Sequence, residues 1–139
     1  MVQLLVGHKG SGKTKSMIDM ANGSLDQVKG SVVFVNKNHR LMYDLKYRIR
    51  SVCMEDFEQV TNADEYIGFL LGIISQDHDI ELIFLDSVLH HADIKVSDLE
   101  NFLERLESIS KNYGPKFVVS LSADQSELGD YVKKYEILN

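Results

Sequence analysis

The 139-residue chain holds one cysteine, one proline and no tryptophan. A single thiol, Cys53, excludes an intrachain disulfide, so stability has to come from a packed core, which a chain of this length can build. It equally excludes a zinc element made of several thiolates. With Pro115 the only proline, there is no proline-rich linker, and neither an internal repeat nor a low-complexity tract is present. No apolar run approaches the roughly 20 residues that a bilayer span needs. The run VQLLV (2–6) is too short for a signal peptide and leads directly into a glycine loop. A positive surplus is missing too. Lys and Arg number 15 against 21 Asp and Glu, a net charge of −6, which argues against coating nucleic acid by charge alone. The expectation is one soluble cytoplasmic domain over residues 1–139, with no membrane insertion.

Short apolar runs alternate with helical patterns, the layout of an α/β fold: a three-layer sandwich around a mainly parallel sheet of five or six strands. VQLLV reads as the first strand, and a helix follows from about Lys13 to Ala21. SVVFV (31–35) is continuous and β-branched, as a strand buried on both faces should be. Leu41, Leu45, Ile49 and Val52 recur at three- to four-residue steps and predict an amphipathic helix from Arg40 to Val52. FEQV (57–60) is a weaker strand candidate. Thr61 with Asp64 reads as an N-terminal cap for a helix carried by Tyr66, Ile67, Leu70, Leu71 and Ile74. ELIFLD (81–86) is the strongest strand pattern. Ser97 and Glu100 have capping-box spacing ahead of the stripe Leu99, Phe102, Leu103, Leu106 and Ile109, which Gly114-Pro115 should end. KFVVSLS (116–122) reads as another buried strand, followed by a short helix around 126–134 and a last strand near 136–138.

GHKGSGKT (7–14) has the spacing Gly-x-x-x-x-Gly-Lys-Thr between a strand and a helix. At average composition its four fixed positions match by chance in roughly one chain of this length in two hundred. Glycines at 7, 10 and 12 let the backbone turn its N–H groups inward, and the positive end of the next helix adds to that cradle for phosphate oxygens. The expected nucleotide contacts run through Gly7, His8, Lys9, Gly10, Ser11, Gly12, Lys13, Thr14 and Lys15. Lys13 can bridge the β- and γ-phosphates, and the Thr14 hydroxyl can ligate Mg²⁺. Asp86, at the C-terminal end of a buried strand, is the matching acid for the metal, acting through a water. The expected cofactors are therefore ATP and Mg²⁺. ATP is chosen by elimination, since the Asn/Thr-Lys-x-Asp guanine signature is absent.

GHKGSGKT and IFLDSV together resemble the RecA-like branch of the P-loop NTPases, and FVNKNH, NADEYIGFLLGII and VVSLSADQ extend the likeness over most of the chain. The resemblance implies that KFVVSLS lies between the strands ending at Val6 and Asp86. It would bring Ser120, Ser122 or Gln125 near the γ-phosphate as a sensor, and Ser122 is the one expected. The chain departs from the family where catalysis matters. The glutamate expected beyond the second strand is replaced by Asn36-Lys37-Asn38-His39, with Asn38 as the nearest equivalent. An amide positions water but cannot take its proton. Directly after Asp86 stands Ser87, again not a glutamate. His90, His91 and Asp93 follow closely, but as catalytic groups or a metal site they are poor substitutes.

Within the expected helix 40–50, Arg40, Tyr43, Tyr47 and Arg50 fall on one stripe beside Lys46. That stripe reads as a solvated face or as an interface to a protein partner or second copy, with Arg40, Arg48 or Arg50 completing a neighbour's site. Nucleic-acid stacking is the less favoured reading. The functional expectation is a slow ATPase, with Lys13, Asp86, Asn38 and Ser122 as its working residues, completed by oligomerisation or a partner. The alternatives are a non-hydrolysing nucleotide switch or regulatory subunit and, less favoured, a small-molecule kinase. Against a kinase, no arginine follows Arg105 and no lid-like insertion is visible.

Overall fold

In the computed structural model, which describes residues 1–91 and 93–139, strands and helices alternate as the apolar runs demand. The strands are β1 (Val2–Gly7), β2 (Ser31–Asn36), β3 (Ile49–Cys53), β4 (Ile80–Leu85), β5 (Lys116–Ser122) and β6 (Glu136–Ile137). They form one sheet of six in the order β3-β2-β4-β5-β1-β6, every pairing parallel. The helices are α1 (Lys13–Ser24), α2 (Ala63–Ser75), α3 (Val88–His91) and α4 (Leu99–Tyr113). β5 does lie between β1 and β4, paired to both.

Side chains alternate across a strand, so a continuous apolar run must feed two cores. Val33 and Val35 of β2 join Leu4, Val6, Ile83, Leu85 and Val119 in a core under α2 and α4. Val32 and Phe34, the intervening residues, join Leu5, Phe84 and Val118 against Met17, Ile18 and Ala21 of α1. There Phe34 and Phe84 stack at 5.8 Å. Helices on both faces of one parallel sheet make a three-layer α/β sandwich. No helix among the described residues is long and apolar enough to cross a membrane.

Several local expectations are corrected. Residues 40–52 do not form a helix, so there is no basic helix 40–50. Met42–Asp44 is one short 3₁₀ turn, and Ile49–Cys53 is the edge strand β3. The helical spacing was real but local. The outer edge of β2 offers a full ladder from Val32 to Asn36, and IRSVC, with its β-branched residues, takes it. FEQV is not a strand: residues 54–60 turn through bonds from Phe57 N–H to Met54 O and from Val60 N–H to Phe57 O. The cap of α2 is Asn62, whose Oδ1 accepts from Glu65 N–H, while Thr61 donates to the Glu65 carboxylate. Ser97 caps nothing, because a 3₁₀ turn at Val96–Asp98 carries the chain into α4. Gly114 does end α4, at φ 102°. The expected helix at 126–134 is two 3₁₀ turns, Gln125–Glu127 and Asp130–Lys134.

Candidate functional site

β1, β2, β4 and β5 end side by side at Gly7, Asn36, Leu85 and Ser122, and the loops leaving them meet there. β1 crosses by α1 to β2, three places along the sheet, and β4 and β5 return to lie between them. The crevice thus lies where strand order reverses, the usual ligand edge of an open parallel sheet.

After β1 the chain makes a tight turn, with Ser11 N–H bonded to His8 O. It enters α1 through Gly12 at φ 88°, preceded by Gly10 at φ 86°. Both lie in the left-handed region, where a Cβ is costly, so these two glycines set the path of the loop. Lys13 is only 8% exposed. Its ammonium curls back over the loop, donating to Gly7 O at 2.7 Å and His8 O at 3.0 Å. Burial lowers its pKa, and the Asp86 carboxylate opposes that shift.

The first turn of α1 and the end of β4 are tied directly. Thr14 Oγ1 donates to Asp86 Oδ2 at 2.9 Å. Asp86 is 2% exposed, and its other oxygen accepts from Ser120 Oγ at 2.6 Å. Ser120 Oγ accepts in turn from Ser87 N–H at 2.9 Å, which holds Ser87 in a left-handed turn at φ 58°. The carboxylate is therefore oriented from both sides by hydroxyls. Thr14 and Asp86 are two hard oxygen donors in contact, a pair suited to Mg²⁺.

A cleft of about 450 Å³ opens above this pair. Lys9, Lys13, Lys15, Lys37 and Arg40 line it, with Ser87, His90 and Ser122. Five cations around one carboxylate, in a chain of net charge −6, concentrate positive potential at this cleft. Their field is felt at His90, whose pKa is lowered by desolvation and then by Lys37, Lys9 and Lys13.

The expected residues divide accordingly. Lys9, Gly10, Gly12, Lys13, Thr14, Lys15, Asp86 and Ser122 come together at this cleft. Asn38 lines its continuation beside Thr14 and Asp86, where its side-chain oxygen accepts from Arg40 N–H. Gly7, His8 and Ser11 do not line it; the Gly7 carbonyl is taken by Lys13, and the His8 ring faces Asp124 at 3.5 Å. Gln125 sits away in an exposed turn. Of the group His90, His91 and Asp93, the His91 side chain lies outside the described residues. Of the three arginines considered for a neighbour's site, Arg50 is paired to Asp77 at 2.8 Å and Arg40 lines the chain's own cleft.

Ser120 was named only beside Ser122, yet it is Ser120 that touches Asp86. Period two put both on one face of β5, but only pairing with β4 shows which reaches the carboxylate. Arg40 and Leu41 were missed as cleft residues because residues 40–52 read as a helix, and Lys37 because only Asn38 of its segment was weighed. No family model matches the chain, and no curated protein matches it.

Proposed function

We propose that this chain is a P-loop protein with a RecA-like core that binds Mg²⁺·ATP and hydrolyses it slowly, needing an oligomer or a partner for full activity. The observation that carries this reading is the 2.9 Å bond from the Thr14 hydroxyl to Asp86. It joins the residue after the motif lysine to the acid of a strand 72 positions later. The sheet order, with β5 between β1 and β4, and the five cations at the cleft support it.

In this reading the loop amides, Lys9, Lys13 and Lys15 hold the phosphates, and Thr14 with Asp86 holds Mg²⁺. The ion, when bound, supplies charge stabilisation to the transferring phosphoryl group. Lys13 exchanges the Gly7 and His8 carbonyls for phosphate oxygens, which gives the buried ammonium an anionic partner in direct contact. Ser120 keeps the Asp86 carboxylate turned toward Thr14. Asn38 orients water but takes no proton, so turnover by the isolated chain is slow. A nucleotide switch that does not hydrolyse is the second reading, favoured by the same absence of a carboxylate base.

Phosphate release from Mg²⁺·ATP, measured over a wide range of protein concentration with Lys13→Ala as control, separates the two. Release that vanishes in the control and climbs faster than protein concentration supports an ATPase completed between subunits. Protection against unfolding by ATP without release supports the switch. If ATP neither protects nor is hydrolysed, the nucleotide reading falls.

A further inference from the structure

Residues 37–50 carry Lys37, Arg40, Lys46, Arg48 and Arg50 against Asp44 alone. Arg50 is held by Asp77, whereas Arg40, Lys46 and Arg48 make no ion pair among the described residues. Between them stand Tyr43 and Tyr47, 97% and 96% exposed. Rings that bury almost nothing contribute no hydrophobic stabilisation to the fold.

The loop that carries them is nevertheless tethered. Asn22 of α1 accepts from Lys46 N–H at 2.8 Å and donates to Asp44 O at 2.9 Å. Leu45 packs into the core under α1, and Met42–Asp44 forms its own turn. A stem fixed on α1 thus presents two aromatic faces and three unpaired cations to solvent. At about 0.1 M salt, charges more than roughly 10 Å away are largely screened, so the local surplus counts for more than the net −6.

We propose that the loop 40–48 is a binding surface for single-stranded nucleic acid. Arg40, Lys46 and Arg48 meet backbone phosphates, and bases stack on Tyr43 and Tyr47. The two components of the surface select the ligand together. An acidic polypeptide would satisfy the cations and leave the rings unused, and a duplex keeps its base faces inside its own stack. A single strand offers a phosphate chain and free base faces at once. Because Arg40 and Leu41 also line the glycine-loop cleft, strand and cleft ligand act on the same loop.

The test is fluorescence anisotropy of labelled oligo-dT and oligo-U with the full chain. No nucleotide is added, so the result does not depend on the proposed ATPase. Binding at low salt is expected, with log affinity falling against log salt at a slope of about −2, from three cations at roughly 0.7 each. Tyr43→Ala with Tyr47→Ala should weaken binding at least about fivefold while leaving that slope. Arg40→Gln, Lys46→Gln and Arg48→Gln together should flatten it. Three outcomes overturn the proposal: no binding at low salt, undiminished binding by the tyrosine variant, or competition by poly-glutamate equal to that by the oligonucleotide. Every substituted side chain is exposed, and far-UV circular dichroism verifies that the variants are folded.

Discussion

Replacing Ser120 with alanine tests whether the Asp86 carboxylate is actively oriented. Ser120 is 0% exposed, and its hydroxyl makes two bonds, to Asp86 Oδ1 at 2.6 Å and from Ser87 N–H at 2.9 Å. A hydrogen bond to a charged group contributes roughly 1.5–3 kcal/mol, and leaving a buried N–H without a partner costs at least about 1 kcal/mol. Water from the adjoining cleft can offset part of the second loss. The single substitution should then destabilise the protein by about 2–4 kcal/mol. In an Asp86→Ala background only the Ser87 contribution remains, so Ser120→Ala should cost about 1 kcal/mol there. The two costs, read from urea-unfolding midpoints at pH 7 with m-values compared, give a coupling of roughly 1–3 kcal/mol. Equal costs in the two backgrounds would refute the idea that Ser120 works on Asp86.

Three further outcomes are expected. The Tyr66 hydroxyl is buried with no hydrogen-bond partner among the described residues, and burial followed by the charge of Asp86 pushes its pKa far up. Tyr66→Phe should therefore leave the unfolding free energy read from urea titration unchanged or raise it by up to about 1 kcal/mol, and a clear loss would reveal a hidden partner. His39 donates to Asp56 at 3.0 Å, which raises its pKa, whereas desolvation and three lysines lower that of His90. In NMR titrations His39 should titrate above 6.5 and His90 below it. The His39 contribution to stability is present in full below its unfolded value of 6.5 and fades as pH rises through the higher folded value. A phosphate polyanion in the cleft should move His90 upward, and an unchanged His90 would place the anion elsewhere. Asn62→Ala removes the cap of α2 and should cost about 1 kcal/mol, measured by thermal unfolding followed by circular dichroism. Thr61→Val, which leaves that cap in place, should cost less.

How much was legible depended on how local the deciding interaction was. The runs VQLLV, SVVFV, ELIFL and KFVVSLS each hold at least three consecutive apolar residues, which a strand covered on both faces accommodates, and α/β architecture followed. The tight turn into α1 was legible because its glycine spacing is local chemistry, and the place of Asp86 at a strand end was legible because it closes an apolar run. The capping by Thr61 and by Ser97 was the weak point. Each turned on a hydrogen bond that a neighbouring residue could make equally well.

By itself, the sequence determined the fold class, the position of the glycine loop and the strand ends around it, because side-chain periodicity and backbone sterics act within a few residues. Tertiary structure alone decided what residues 40–53 became. Their helical spacing lost to an open edge of β2, which supplied backbone partners from a segment far back along the chain. With a loop and an edge strand in place of the helix, Arg40 lines the cleft and Tyr43 and Tyr47 face solvent. Edge pairing is settled by which strand lies free after the sheet has assembled, and no window of local sequence contains that information.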